Sequence, residues 1–160
     1  IRLKTAVLLA CALKTGALLG GATPHQARQL YETGITVGLA FQLRDDFLDT
    51  FGEEVTFGKK IGGDIEAGKK TFLLTEALRT ATPTQKAQLE GWLENPSAPA
   101  EEKFRAVKTL FEQLGVGETT LHRIAEYHAQ AVDLLESLEV PAERKQPLLE
   151  LTGKLVLRRN

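Results

Sequence analysis

Three aspartates, Asp45, Asp46 and Asp49, stand close together in a segment otherwise rich in Phe and Leu. On a helix, Asp45 and Asp49 share one face because they are four residues apart, whereas Asp46 lies about 100° around the axis. Two carboxylates about 6 Å apart repel by nearly 3 kcal/mol at an effective dielectric of about 20. The helix dipole adds to this repulsion, since the acids fall in the last turns of the predicted helix. A divalent cation would compensate both effects, so the segment predicts a metal site.

The chemistry of the candidate ligands indicates a hard metal, because they are carboxylate oxygens with no Cys or His nearby in sequence. Magnesium fits best if a phosphate shares its coordination sphere. The glycine-rich segment that follows carries Lys59 and Lys69, which can reach an anion held by the metal. Asp64 between them can hold a metal-bound water or orient a lysine. The combination predicts a diphosphate site; the alternative is a solvated helix end with a partial ion-pair network.

Two long helices are predicted to carry the acidic segment. The first, over residues 2–19, is mostly apolar and is ended by the pair Gly20-Gly21. The second starts at Thr23-Pro24, an N-cap followed by proline at the first helical position, and runs to about Asp49 or Phe51.

Gly34 and Gly38 lie inside the second predicted helix and share one face. Each destabilises a helix interior by about 1 kcal/mol relative to Ala. Their missing side chains allow either a partner helix or a ligand to approach the backbone closely, and tight helix packing is the simpler of the two interpretations.

The rest of the chain is predicted to consist of a loop followed by further helices. Residues 52–70 lose all apolar periodicity and are predicted to form a loop. Pro147 is expected to break or restart the last helical region. The remaining predicted helices begin near Thr71 and at Thr82-Pro83, span about 100–114 and 118–138, and open at Pro141. The fold class is therefore predicted to be all-α, a bundle of moderately long helices.

Composition excludes several classes of function. The net charge of −1 over 160 residues gives no bulk attraction to nucleic acid or an anionic membrane. No apolar run reaches the roughly 20 residues that a bilayer span needs, since Lys14 and several glycines interrupt the best candidate. The single Cys11 rules out an internal disulfide framework and fits a reducing, cytoplasmic location. Because the chain begins at Ile1 and has no Met, we expect it to be the C-terminal piece of a longer polypeptide.

Taken together, the motifs resemble the second aspartate-rich region of the trans-isoprenyl diphosphate synthases, or polyprenyl synthetases. The motifs that carry the resemblance are Lys4-Thr5, the segment Phe41–Asp49, Gly58-Lys59, Gly63-Asp64-Ile65 and Gly68-Lys69-Lys70-Thr71. The resemblance covers about residues 1–75 by motif and the remainder by helical pattern alone. It implies a helical bundle of the isoprenoid synthase type, in which residues 1–160 form the C-terminal part of a single domain, and a homodimer.

The resemblance also implies an activity: Mg²⁺-dependent head-to-tail condensation of isopentenyl diphosphate with an allylic diphosphate. Asp45 would bind the metal directly. Three further acids would support the ion and its waters: Asp46, Asp49 and Asp64. Three lysines would bind the allylic diphosphate and stabilise it as it leaves: Lys4, Lys59 and Lys69. Thr5 and Gln42 would lie near the allylic carbon, and Arg158 and Arg159 would help bind the second, homoallylic diphosphate.

The chain departs from the family pattern in lacking the first aspartate-rich motif and the Arg pair that follows it. We therefore expect the isolated 160-residue chain to be inactive. One alternative is a non-catalytic subunit of a heteromeric prenyl synthase, although such a subunit has no reason to keep the acidic cluster. A class I terpene cyclase shares the helical layout, but the Gly-Lys loop favours the synthase. A plain helical interaction module is the remaining alternative.

Overall fold

The computed structural model describes residues 1–52 and 61–156, which belong to two compact units. The first unit comprises Ile1–Arg44 and His122–Arg159, and the second comprises Asp45–Leu121. All regular elements among the described residues are helical, which confirms the predicted all-α class. No helix in this part of the chain has both the length and the hydropathy that a bilayer span requires.

The helices follow one another with short connections. In chain order they are a π-helical turn Arg2–Ala6, α1 Val7–Leu19, α2 Pro24–Phe51, α3 Gly63–Glu66, α4 Phe72–Thr80, α5 Pro83–Glu94, α6 Ala100–Gln113, α7 Val116–Glu136 and α8 Ala142–Val156. These bounds lie close to the predicted ones, with two exceptions: the helical turn α3 and the uninterrupted α8.

Local capping explains where α1 ends and α2 begins. Gly20 caps the C-terminus of α1, and Gly21 follows with a φ of +80° that favours glycine. At the start of α2, the Gln26 N–H donates to Thr23 Oγ1 at 3.2 Å, and the Thr23 N–H donates to Gln26 Oε1 at 2.9 Å. This reciprocal capping box satisfies two backbone donors that a helix start otherwise leaves unpaired.

In the first unit, the two glycines of α2 pack directly against the start of the chain. A Cβ on Gly34 would lie 2.4 Å from Ala10 Cα, and a Cβ on Gly38 would lie 2.5 Å from Ala6 Cα. Ala6 and Ala10 are fully buried and form a small core with Ile35. The glycines therefore serve helix packing, and the two matched contacts fix the register in which the antiparallel segments lie.

The second unit has its own core. Its buried residues are Ile65, Leu73, Leu74, Ala77, Leu89, Val107, Leu110, Phe111 and Val116. Capping defines the helices that supply them: the Leu74 N–H donates to Thr71 Oγ1 at the start of α4, and Thr82 forms a capping box with Gln85 at the start of α5. These helices pack with α6 around one apolar centre.

The prediction that residues 52–70 form only a loop was wrong for Gly63–Glu66, which form the single helical turn α3. Gly62 precedes the turn with a φ of +86°, and its carbonyl accepts the Glu66 N–H at 2.9 Å. Ile65 anchors the turn, since only 6% of it is exposed. A single turn with one apolar residue has no periodicity, which is why the sequence pattern gave no helical signal.

The expected break at Pro147 is also absent, because Pro147 lies inside α8. A proline in a helix interior removes one hydrogen bond and leaves the carbonyl four residues earlier without its donor. That carbonyl belongs to Glu143, and both Glu143 and Pro147 are exposed, so water can hydrate the freed group. The helix therefore continues through the proline to Val156.

Candidate active site

The three predicted metal ligands of α2 lie in its last two turns, within the second unit. Asp46 is only 5% exposed, whereas Asp45 and Asp49 are partly exposed. The difference follows the helical period, since Asp46 is turned away from the face that Asp45 and Asp49 share. A buried carboxylate is not the property of a merely solvated helix end, so that alternative does not account for Asp46.

Asp49 holds the glycine-rich turn against the end of α2. Its backbone carbonyl accepts the Gly62 N–H at 2.7 Å, and its Oδ2 accepts the Asp64 N–H at 2.9 Å. Asp49 thus binds the turn through both its main chain and its side chain. The structure therefore brings together Asp49 and Asp64, which the sequence places fifteen residues apart.

The backbone turn that ends α3 places Lys69 next to Asp64. The Gly68 N–H donates to the Ile65 carbonyl at 3.1 Å, and the Lys69 N–H donates to the Asp64 carbonyl at 2.9 Å. These two bonds, with a φ of +61° at Gly68, form a Schellman motif. The motif sets Lys69 beside Asp64, and Lys69 Nζ donates to Asp64 Oδ1 at 2.5 Å.

The surroundings of Asp49 and Lys69 raise the pKa of both groups. Burial raises the pKa of Asp49 most, and repulsion from Asp64 and Asp45 raises it further, while the Asp64 N–H and Lys69 act in the opposite direction. The hydrogen bond to Asp64 and its negative charge raise the pKa of Lys69, and Asp49 and Asp46 add to the effect. Lys69 therefore remains a cation beside a cluster of carboxylates, with its side chain 61% exposed.

The carboxylates fit a hard cation in donor chemistry but do not form a complete cage. In residues 1–52 and 61–156, no group of three or more Asp, Glu, His or Cys side chains is arranged to hold a metal ion. Carboxylate oxygens are the ligands that Mg²⁺ prefers, and Mg²⁺ keeps several waters or phosphate oxygens in its shell. Asp45, Asp46, Asp49 and Asp64 would thus supply part of a coordination sphere that water and a phosphate must complete.

In the first unit, the structure joins another predicted pair. Thr5 Oγ1 donates to Gln42 Oε1 at 2.9 Å in a partly buried position. The glycine contacts explain this bond, because the register that sets Ala6 against Gly38 also sets the preceding residue near the next turn of α2. Lys4 lies in the same π-helical turn as Thr5 and is exposed.

Three predicted site residues lie outside the described part of the chain: Lys59, Arg158 and Arg159. The sequence analysis also missed two residues that shape the site. Gly68 was noted only as part of a motif, although its positive φ is what closes the Schellman turn. Phe104 packs against Gly62, and its spacing with Val107 and Phe111 is that of a helix face in a core, so the sequence carries no signal for a role in the site.

Comparison with known proteins identifies relatives over nearly the whole chain. A family model described as polyprenyl synthetase matches residues 1–111. The chain is 36% identical over 158 residues to a short chain isoprenyl diphosphate synthase of Methanothermobacter thermautotrophicus, covering 98% of this chain and 46% of that protein. The chain thus spans about half the length of the curated relatives it matches.

Solved structures of prenyl synthases also superpose on this chain. A geranylgeranyl pyrophosphate synthase superposes with a TM-score of 0.89 at 37% identity, covering all of this chain and 50% of the other. A geranylgeranyl pyrophosphate synthase of Corynebacterium glutamicum, complexed with isoprenyl diphosphate and magnesium, superposes with a TM-score of 0.86 at 30% identity. That comparison covers 99% of this chain and 45% of the other.

Proposed function

Because this chain belongs to the polyprenyl synthetase family, we propose that the intact protein is a trans-prenyltransferase. It condenses isopentenyl diphosphate head-to-tail with an allylic diphosphate. The observation that carries the proposal is the linked arrangement of Asp49, Asp64 and Lys69, in which an acidic helix end, a glycine-rich turn and a cation are hydrogen-bonded in series. Such a combination provides both a place for a hard cation and a cation for phosphate oxygens.

The carboxylates of Asp45, Asp46, Asp49 and Asp64 would hold Mg²⁺, with Asp45 as the direct ligand. When bound, Mg²⁺ offsets the charge of the diphosphate and so makes it a better leaving group. The acids themselves have a second effect, because their mutual repulsion favours any cation that enters the cluster. A related synthase has been solved with isoprenyl diphosphate and magnesium together, which supports this assignment.

The lysines act on the bond that breaks. The allylic C–O bond cleaves heterolytically, its electron pair goes to the diphosphate, and the departing group gains negative charge. By the family resemblance, the lysines that would bind these oxygens as cations are Lys4, Lys59 and Lys69. The isopentenyl double bond then forms the new C–C bond to the allylic carbon, and transfer of a proton to the released diphosphate restores a double bond. Cations placed in advance lower the barrier because they interact most strongly with the charge that develops.

Thr5 and Gln42 have a different role, at the allylic carbon. Because the Thr5 hydroxyl proton is donated to Gln42 Oε1, the lone pairs of Thr5 Oγ1 remain available. An oxygen dipole oriented in this way stabilises a developing carbocation. The bond also holds Gln42 in one position, so neither dipole must reorient during ionisation.

We further propose that residues 1–160 form the C-terminal part of a single synthase domain and that this chain alone does not turn over. Arg158 and Arg159 bind the diphosphate of isopentenyl diphosphate. Assembly as a homodimer in the cytoplasm is proposed from the family resemblance, and the exposed, unpaired thiol of Cys11 is compatible with a reducing compartment.

The test is an elongation assay of the intact protein with Mg²⁺, isopentenyl diphosphate and allylic primers of different length. Growth of the primer by five-carbon units is the expected result, and replacement of Asp45, Asp46 and Asp49 together by Asn should abolish it. Asp133→Asn, which removes an exposed acid from α7, is the control and should leave activity unchanged. Cyclised hydrocarbon without chain growth, or full activity of the triple variant, would refute the proposal.

A further inference from the structure

We propose that Phe104 and Lys108 of α6 are positioning residues for the acidic cluster, because they hold the Gly62–Lys69 turn against the end of α2. The proposal deepens the proposed function and rests on it for its catalytic consequence. Its structural part concerns only contacts within the second unit and can be tested without any turnover.

The first contact joins Phe104 to the backbone of Gly62. A Cβ on Gly62 would lie 2.4 Å from Phe104 Cδ2 and 2.8 Å from Phe104 Cε2, so the ring occupies the space that a side chain would take. The ring thus lies directly on the main chain where the turn begins. Gly62 also has a φ of +86°, so both its conformation and its surroundings require glycine.

The second contact joins Lys108 to two aromatic rings. Lys108 Nζ lies 5.8 Å from the centroid of Phe104 and 5.8 Å from the centroid of Phe51, the last residue of α2. Both distances are within the range of cation–π attraction. The positive charge is also favourable beside the C-terminus of α2, where the helix dipole is negative. Lys108 therefore connects the end of α2 to the ring that supports the turn.

These contacts continue into the acidic cluster through hydrogen bonds. Gly62, held by Phe104, donates to the Asp49 carbonyl, and Asp64 two residues later donates to Asp49 Oδ2. Asp64 in turn accepts Lys69 Nζ. A displacement of Gly62 would consequently change the positions of Asp64 and Lys69 relative to Asp49. A shift of about 1 Å can reduce turnover by about 100-fold when reacting groups depend on placement.

Amide hydrogen exchange in the magnesium-free intact protein tests the structural part. In Phe104→Leu, we expect the amides of residues 62–69 to exchange about tenfold faster relative to those of α5, because the support of the turn is reduced. Phe111→Leu is the matched control: Phe111 is 1% exposed on the same helix, so its loss destabilises the core without touching Gly62. Equal amide exchange rates at residues 62–69 in the wild type and Phe104→Leu would overturn the proposal. The same would follow if Phe104→Leu and Phe111→Leu accelerated exchange at these residues equally.

Lys108 provides a second test that does not alter the core. Lys108→Met keeps the aliphatic stem and removes the charge, so amide exchange in the turn should become faster. Lys108→Arg should keep the protection of the wild type because Arg also stacks on aromatic rings.

In the elongation assay, Lys108→Met and Phe104→Leu should raise the Mg²⁺ concentration needed for half-maximal activity by several-fold, and Phe111→Leu should not. An inactive wild type would refute the proposed function alone, since the exchange measurement still decides the positioning role.

Discussion

Asp49 Oδ2 accepts the backbone N–H of Asp64 at 2.9 Å, so the acid at the end of α2 fixes the position of the acid in the following turn. Together with the bond from the Gly62 N–H to the Asp49 carbonyl, this bond connects the acidic end of α2 to the glycine-rich turn. The two oxygens of the Asp49 carboxylate therefore differ, because Oδ2 holds the Asp64 N–H and no hydrogen bond to Oδ1 is observed within residues 1–52 and 61–156. A carboxylate with one oxygen held in place presents the other in a defined direction to a cation.

Asp49→Asn should stabilise the metal-free protein at neutral pH while reducing activity by about 100-fold or more. The pKa of Asp49 is raised above 3.8, mainly by burial. Ionisation therefore opposes folding, and the native protein loses stability as the pH rises from 3.8 through the raised pKa. Asparagine lacks this penalty and can still accept the Asp64 N–H through its amide oxygen. Thermal unfolding between pH 3 and pH 8 measures the difference, which should vanish at the acidic end.

Magnesium together with inorganic diphosphate should stabilise the wild type and have little effect on Asp49→Asn. Asp133→Asn serves as the control for loss of one acid from the surface and should respond like the wild type. If Asp49→Asn unfolded at a temperature well below that of the wild type at pH 7, the hydrogen bond from the Asp64 N–H would depend on the charge of Asp49. That result would contradict the prediction that the substitution is stabilising.

Lys69→Gln should separate stability from catalysis. The ion pair with Asp64 is exposed on the lysine side, so its loss should change the free energy of unfolding by no more than about 1 kcal/mol. Turnover should fall by about 100- to 1,000-fold, because a cation that binds the departing diphosphate is lost. The raised pKa of Lys69 contributes stability that is complete below 10.5 and is lost only at higher pH, so it does not affect assays near neutrality.

Arg105→Gln is the matched control for Lys69→Gln. Arg105 forms an ion pair with Glu101 at 2.7 Å on α6 in which both side chains are exposed, so this substitution removes a surface ion pair outside the acidic cluster. We expect the same small change in stability and no loss of turnover in Arg105→Gln. Similar turnover in both variants would show that Lys69 has no special role.

Gly68→Ala should destabilise the turn through its backbone conformation alone. A Cβ at Gly68 meets no atom within 4 Å, so space is not the obstacle, but the φ of +61° disfavours any side chain. The expected loss is about 1–2 kcal/mol. Gly68→Asn should lose less stability than Gly68→Ala, because asparagine tolerates the left-handed region. It should also retain more elongation activity. Unfolding in urea together with the elongation assay measures both effects; equal losses in the two variants would contradict the Schellman interpretation.

The parts of this structure that the sequence predicts are the local ones. The N-cap at Thr23, the glycine stop after α1 and the angular separation of Asp45 and Asp46 on the helix depend on neighbouring residues, and the helical period and turn chemistry predict them. The candidate site residues were identified by motif resemblance, which also depends on the order of neighbouring residues. Such signals explain why the all-α class and the family were correctly predicted.

The parts that were missed depend on contacts between residues far apart in sequence. The helical turn α3 forms because Ile65 is buried by other helices, and Phe104 supports Gly62 across a long separation. Neither contact leaves a periodic pattern, since one apolar residue or one aromatic ring carries it. The helix through Pro147 was missed for a related reason, because the penalty for proline depends on whether water can reach the carbonyl it frees.

Gly38→Ala should destabilise the first unit and disturb the pair formed by Thr5 and Gln42. A Cβ at Gly38 would lie 2.5 Å from Ala6 Cα, so the two helical segments must separate to admit it. Overpacking of this kind reduces the free energy of unfolding by about 1–3 kcal/mol. Because Thr5 precedes Ala6 directly, the same separation should weaken the hydrogen bond to Gln42 and lower turnover.

Gly16→Ala is the control for the Gly38 substitution, since a Cβ at Gly16 on α1 meets nothing within 4 Å. It should raise the free energy of unfolding by about 0.5–1 kcal/mol, because alanine restricts the unfolded chain more than glycine does. Chemical denaturation of the two variants should therefore give opposite signs. If Gly38→Ala were as stable as Gly16→Ala, the close contact could not be what sets the register of α2, and the position of Thr5 beside Gln42 would need another cause.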